Sequence, residues 1–390
     1  NNLLLYMNGE IYNPEALSSK NDTEWLLEFF NKNIEMSTLD GEFIVVCYDK
    51  QKNIITIASD PFATKPCFYL CVPDKLLTLS SYQEPLIKMF GAESIREFPP
   101  NTLAKISLDD YSIIETSTIV NWDFTPKYID FDRWNKSFTN SIIKRASTDK
   151  KIFLGLSSGY DSGLIVAELL NLEKPFDSYS IYGAENKDIL EERINLVNAG
   201  KTAKAYVTKY DQARYDKHLD FIKKNSSNYP YRDVNGKFIK WMLDDKAAVG
   251  LSMICEDAKD RNSPIYFSGQ GADEIFSDYK TRGTHHGTIR GNFTNVRQKW
   301  TNFDMGFQRN FLSKEERIPG AWGIEARYPF LDRDVVQNFL WLKDDIKNSE
   351  YKQCIAQRLR QYNFPFKQNE KCGFNPLVSL PKGKILYGSK

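Results

Sequence analysis

The chain has 390 residues, of which 41% are hydrophobic and 26% charged, and its formal net charge is +1. That balance is the profile of a soluble globular protein long enough for two domains, and it excludes a nucleic-acid binder that relies on a large basic field. No apolar run approaches the roughly 20 residues of a membrane helix. Asn1-Asn2 lead into a short apolar burst and a polar turn rather than a secretion signal. A cytoplasmic protein without membrane or nucleic-acid partners is expected. Cys47, Cys67, Cys71, Cys255, Cys354 and Cys372 lie far apart, mostly in apolar stretches, and read as reduced thiols rather than a zinc site. His218, His285 and His286 are the only histidines, and they form no His-Glu-x-x-His motif.

Taken in chain order, residues 1–120 read as short strands and turns. Asp22-Thr-Glu before Trp25-Leu-Leu-Glu-Phe-Phe30 has a helix-start signature with an amphipathic body. Phe43–Tyr48 and Asn53–Ala58 read as strands, and Pro99-Pro100-Asn101 as a turn. The pattern changes near Phe124-Thr-Pro126, so domains of 1–125 and 126–390 are expected. Phe131–Ser147 reads as a helix with exposed Lys and Arg. Lys151–Leu156 reads as a buried strand, Leu164–Leu172 as a helix, and Asp177–Tyr182 as a strand. Helical Asp188–Ala199 and strands Ala205–Thr208 and Pro264–Ser268 follow. Strand and helix alternate, which predicts a parallel α/β sheet with ligands outside the carboxyl ends of its strands.

Two loops fall at such ends. In Leu154-Gly-Leu-Ser-Ser-Gly-Tyr-Asp-Ser-Gly163, Gly159 permits close backbone approach, while Ser157, Ser158 and Ser162 offer hydroxyls. The following helix adds free N–H groups and a positive dipole end, an arrangement suited to phosphate. A plain turn has the same composition. The Walker pattern is absent: Gly200-Lys201-Thr202 has its tail, but Asn195 stands where the first glycine belongs. The second loop, Ser268-Gly-Gln-Gly-Ala-Asp-Glu-Ile-Phe276, places Asp273 and Glu274 at a helix start. Asp161 and Asp273 together are a candidate Mg²⁺ pair; an ordinary helix start explains Asp273 and Glu274 equally well.

These residues resemble the asparagine synthetase family. Ser157–Ser162 is similar to its Ser-Gly-Gly-x-Asp-Ser pyrophosphate loop. Ser268–Tyr279 resembles its Ser-Gly-Glu-Gly-Ala-Asp-Glu segment, and Glu325–Asp332 its Glu-x-Arg-x-Pro-Phe-Leu-Asp signature. Asn369–Phe374 resembles its Arg-x-Lys-x-Gly-Phe segment. Met7–Asn13, Asp22–Glu24, Leu39–Phe43 and Asp60–Pro66 look like segments of its glutaminase domain. The resemblance implies a partial Ntn-hydrolase-like α+β glutaminase domain, followed by an α/β domain of the adenine-nucleotide α-hydrolase kind. The latter has a parallel sheet and a helical C-terminal extension.

The implied chemistry is an ATP- and Mg²⁺-dependent amidotransferase. It adenylates a small-molecule or peptide carboxylate, releases pyrophosphate, and transfers ammonia, free or from glutamine. The resemblance assigns Leu156, Ser157, Ser158, Gly159, Asp161, Ser162, Ile181, Gly269 and Lys371 to ATP and pyrophosphate. It assigns Asp161 and Asp273 to the metal, Asp161, Gln270 and Lys371 to catalysis, and Asn8, Gly9, Glu10 and Asp22 to a glutamine pocket. Arg327 is expected to be structural, paired with Glu325 or a neighbouring acid. A homodimer is left open.

Three positions depart from the family pattern. Ser158 replaces a glycine, Gly163 a serine, and Gln270 the Glu of amide-forming members or the Tyr of ring-forming ones. An amide side chain cannot act as a general base, so aspartate is not the preferred substrate. An intramolecular amide-forming cyclase and a catalytically silent nucleotide-binding homologue are the competing readings. The family's nucleophilic Cys and its Arg-Gly-Pro-Asp segment lie upstream of Asn-Gly-Glu, and the sequence given has neither. The non-Met start favours a missing first part of the domain over a relic pocket.

Overall fold

The structure is a computed structural model and describes residues 2–19, 21–277, 293–294, 296–369, 374 and 376. The amino-terminal part is built on an antiparallel sheet ordered Leu3–Ile11, Gly41–Asp49, Ile54–Ser59, Thr102–Ser107, Ile113–Thr118. Side chains alternate between faces along a strand, and Gly41–Asp49 buries both of its faces. Phe43 and Val45 pack under helix Asp22–Asn31 through Leu26 and Phe29. Ile44 on the opposite face joins Ile57, Phe98 and Ile106 in a second core. Tyr69, Leu77 and Leu79 of a three-stranded antiparallel sheet close that core. The layers are helix, sheet and sheet.

The carboxyl-terminal part carries a five-stranded parallel sheet ordered Ala203–Val207, Phe176–Ser180, Ile152–Gly155, Ile265–Phe267, Glu325–Arg327. Strands Ile152–Gly155 and Ile265–Phe267 are mostly apolar, as strands covered on both faces usually are, while the neighbouring strand Phe176–Ser180 buries Asp177, Ser178 and Ser180. The chain moves outward from Ile152–Gly155 to Ala203–Val207, then returns to the other side at Ile265–Phe267. The order therefore reverses between Ile152–Gly155 and Ile265–Phe267, and such a switch point opens a crevice at the strands' carboxyl ends. The two candidate loops leave from those two strands. Both parts of the expected α/β and α+β architecture are present. Among the described residues, no helix is long and apolar enough to cross a membrane, and the five described cysteines are unpaired thiols.

Two expectations need correction. The helix expected from Leu164 starts at Tyr160. Its first turn is small and polar, and apolar periodicity cannot see it. The helix expected over Phe131–Ser147 spans Asp132–Arg145, but its basic end is not exposed. Arg145 is fully buried, with Nε 2.7 Å from Glu42 and Nη1 2.8 Å from Asp332. Lys144 reaches Asp40 and Asp332, each at 2.5 Å. Glu42 also accepts the Tyr328 N–H at 2.8 Å and the Tyr12 hydroxyl at 3.3 Å. Burial opposes charge on Asp332, but Lys144 and Arg145 outweigh it and hold the carboxyl well below its usual range.

This junction joins the two parts of the chain. The Leu39–Phe43 and Glu325–Asp332 segments meet across Arg145. Lys65 crosses the same boundary to Glu316 and to the Ala326 carbonyl, both at 2.8 Å. Arg327 is structural, as expected, with Nε 2.7 Å from Glu325 and Nη1 donating to the Arg145 carbonyl at 2.6 Å.

Candidate active site

Strand Ile152–Gly155 ends in Leu156-Ser-Ser-Gly159, and Gly159 is the N-cap of helix Tyr160–Asn171. Its φ of −75° and ψ of 168° suit any residue, so Gly159 is not there for a special backbone angle. The loop is braced internally. Ser157 and Ser162 hydroxyls lie 2.7 Å apart, and Ser162 Oγ and Ser157 Oγ accept the N–H groups of Ser157 and Gly159 at 3.1 Å each. It is braced from behind by Arg193, on helix Lys187–Ala199, whose Nη1 binds the carbonyls of Ser157 at 2.6 Å and Gly159 at 2.7 Å. An anion loop must turn its carbonyls away from the ligand, and the buried guanidinium does this for two of them.

Arg193 also explains a departure in the sequence. A Cβ on Gly163 would lie 2.6 Å from Arg193 Nη2 and 2.8 Å from its Cζ. The guanidinium fills the space a side chain at 163 would need. Ser158 neither crowds the loop nor offers a hydroxyl to the cavity: its N–H and Oγ donate to Glu185 at 2.7 and 2.5 Å. Burial raises the Glu185 pKa, and the Ser158 donors oppose that rise.

Strand Ile265–Phe267 feeds the second loop. Gly271 takes a left-handed φ of +97° as the N-cap of helix Ala272–Phe276, and a Cβ there would lie 2.4 Å from Leu331 Cδ2. Gly269 marks where the loops meet, since a Cβ on it would lie 3.0 Å from the Asp161 Cβ. A side chain there would push the loops apart by a few tenths of an ångström. The two carboxylates then converge: Lys352 Nζ lies 2.5 Å from Asp161 Oδ1 and 2.7 Å from Asp273 Oδ1. The Tyr351 hydroxyl donates to Asp273 Oδ1 at 3.1 Å. Burial disfavours the Lys352 ammonium, but Asp161 and Asp273 outweigh it and raise its pKa well above the ordinary value.

A cavity of about 210 Å³ opens beside this cluster. Leu156, Ser157, Gly159, Asp161, Ser162, Gly269, Gln270 and Asp273 all line it, so most of the predicted nucleotide-site residues come together. Ser158 and buried Ile181 are not among the lining residues. Lys371 lies outside the described residues. Of the same segment, Phe374 lines the cavity, and the Asn369 N–H donates to the hydroxyl of Tyr160 at 2.9 Å. Gln270 Nε2 donates to Gln308 Oε1 at 3.0 Å.

The chemistry of the donor set fits a hard divalent cation. Two carboxylates that reach one ammonium reach one metal ion at the same place, once Lys352 yields it. Among the described residues no group of three or more His, Cys, Asp and Glu side chains is placed to hold a metal ion by itself. Phosphate oxygens would complete the shell, the usual arrangement for Mg²⁺. Lys352, Arg193 and the cavity-lining Lys314 and Glu315 are absent from the sequence-based assignment. No local motif marks them.

The glutamine-pocket candidates lie on the other side of the junction. Gly9 has φ of +129°, and a Cβ there would lie 1.8 Å from the Glu42 carbonyl oxygen. Asp22 Oδ2 accepts the Ile11 N–H at 3.4 Å, and Asn8 is exposed. Glu10 lies 3.4 Å from Arg327. Burial, followed by repulsion from Glu325, raises its pKa to about 7 against the pull of Arg327.

Family comparison agrees with this geometry. The chain matches the glutamine amidotransferase domain family over residues 1–88 and the asparagine synthase family over residues 133–304. Both matches point to the same kind of protein, and the curated relatives carry the same likeness. The chain is 28% identical over 380 residues to a protein of Methanocaldococcus jannaschii with the provisional name of a glutamine-hydrolysing asparagine synthetase. That alignment covers 89% of this chain and 66% of the relative. It is 23% identical over 388 residues to the glutamine-hydrolysing asparagine synthetase of Homo sapiens, covering 88% and 66%. The chain thus spans 66% of the length of these curated relatives.

Proposed function

We infer that this chain is the ligase part of an ATP-dependent amidotransferase. The observation that carries this reading is the approach of Gly269 to Asp161 at the sheet's switch point, with Asp161 and Asp273 converging on one cationic position. In the proposed reaction a substrate carboxylate attacks the α-phosphorus of ATP and pyrophosphate departs. Ammonia then displaces AMP to give an amide. Catalysis of this kind is mostly positioning and charge stabilisation.

Asp161 and Asp273 would hold Mg²⁺ with the triphosphate oxygens, where the ion neutralises phosphate charge. Ser157, Gly159 and Ser162 form the pyrophosphate cradle, and Arg193 keeps its carbonyls turned away. Lys371 is assigned to charge developing on the phosphates. Lys352 holds the two carboxylates together when no metal is bound. Glutamine is the proposed ammonia source through the pocket at Asn8, Gly9, Glu10 and Asp22, with free ammonia as the direct alternative. Gln270 distinguishes this cavity from one built around a carboxylate on the loop, so the substrate proposed is a carboxylate other than aspartate.

The test is a panel of amino-acid, sugar-acid and peptide carboxylates, scored by ATP-dependent pyrophosphate release with ammonium chloride or glutamine. Release with at least one carboxylate, and AMP formed in equal amount, is expected. ADP and phosphate in place of AMP and pyrophosphate would refute the reading.

A further inference from the structure

Replacement of AMP by an amine needs a group to take a proton from the attacking nitrogen, and this inference rests on the ligase reading above. Four carboxylates line the cavity: Asp161, Asp273, Glu274 and Glu315. The first two hold Lys352. Glu274 Oε2 accepts the Gly271 N–H at 3.1 Å and caps its own helix. Gln270 carries an amide with no basic site. Glu315 remains, on helix Gly306–Ala321.

Its placement is specific. Glu315 Oε2 accepts the hydroxyls of Tyr266 and Ser268, both at 2.9 Å, while Oε1 has Lys314 Nζ at 3.6 Å. Ser268 Oγ in turn accepts the Gln270 N–H at 3.1 Å. The carboxylate is therefore tied by one hydrogen bond to the strand Ile265–Phe267 and by another to the loop that bears Gln270. Burial and then Glu315 itself keep the Tyr266 hydroxyl protonated as a donor.

We propose that Glu315 is the proton acceptor for the incoming amine, the task that the Gln270 side chain cannot perform. The nitrogen lone pair forms the new C–N bond. The C–O bond to AMP breaks with its electron pair on the phosphate oxygen. The surplus N–H proton passes to a Glu315 oxygen and then to solvent. Gln308 Nε2 is buried and has no hydrogen-bond partner among the described residues, so a Glu introduced at 270 would find a donor waiting.

The experiment compares ATP–pyrophosphate exchange with amide formation from ammonium chloride, using the carboxylate most active in the panel above. Glu315→Gln is expected to slow amide formation about 100-fold and to leave exchange near wild type. Adding Gln270→Glu to Glu315→Gln is expected to restore part of the lost rate. Equal losses in exchange and amide formation, or an undiminished amide rate, would overturn the assignment. If Glu315→Gln does not fold, Glu315→Asp must show the same split, because it keeps the charge but withdraws it by one methylene. Failure of the wild-type chain to release pyrophosphate with any carboxylate would overturn the ligase reading itself, and that result is seen before any variant is made.

Discussion

Arg145 at the junction and Lys352 at the cleft each lie between two carboxylates, and the two sites differ in what surrounds them. At the junction, Arg145 lies between Glu42 and Asp332, whose side chains are 3% and 1% exposed. At the cleft, Lys352 lies between Asp161 and Asp273, whose side chains are 26% and 21% exposed. The junction carboxylate is saturated by peptide and hydroxyl donors. The cleft carboxylates border a cavity. Arginine at the first site cannot lose its proton and binds as a planar fork. Lysine at the second is a flexible point charge beside open space. Access to the cavity, rather than the pairing itself, is what the proposal of cation exchange at the cleft rests on.

The largest effect expected is on chemistry at the cleft. Asp161→Asn removes charge from the metal pair, and pyrophosphate release should fall on the order of a thousandfold while the thermal midpoint changes little. A variant that releases pyrophosphate at the wild-type rate would put the cleft pair in the same structural class as the junction. Next comes Arg145→Met, which leaves Glu42 and Asp332 buried without their cation and should cost about 3–5 kcal/mol. Urea unfolding measures it, and a loss under 1 kcal/mol, on the scale of exposed pairs, would mean the junction is not a lock.

A smaller effect is expected behind the nucleotide loop. Gly163→Ala pushes a methyl against Arg193 at 2.6 Å, and overpacking of this kind costs about 1–3 kcal/mol. Pyrophosphate release should drop with it, because the carbonyl clamp shifts; unchanged stability and rate would show that the guanidinium moves aside freely. The smallest effect is at Glu10, whose folded pKa is raised from 4.5 to about 7. Between those values the folded chain keeps a proton that the unfolded chain gives up, so stability should fall as pH rises through that window. Glu10→Gln should flatten the fall between pH 5 and pH 8 in urea titrations. An identical slope in the variant would assign the dependence to another group.

Much of this was legible in the sequence, for a physical reason. Both loops leave parallel strands with runs of small and hydroxyl residues, and such local patterns are written in consecutive positions. The Asp161–Asp273 pair could be foreseen because each sits at a fixed offset in its loop. Lys352, Arg193 and Glu315 could not. Arg193 and Glu315 come from helix positions, and Lys352 from the turn that caps helix Gln353–Gln361, where a charged residue ordinarily faces solvent; only the tertiary fold brings them there. Arg145 misled for the same reason, since a basic helix end looks solvated until its carboxylate partners are placed. Ser158 looked like a phosphate donor because its alternative partner, Glu185, lies beyond a whole strand.

One residue stands against both halves of the machine. The Arg327 carbonyl accepts the Ser268 N–H at 2.9 Å, at the root of the second cleft loop. Its guanidinium lies 3.4 Å from Glu10 in the amino-terminal segment. Displacement of that edge strand therefore pulls on both contacts at once, so the proposed glutamine pocket and the proposed nucleotide cleft share a common mechanical reference.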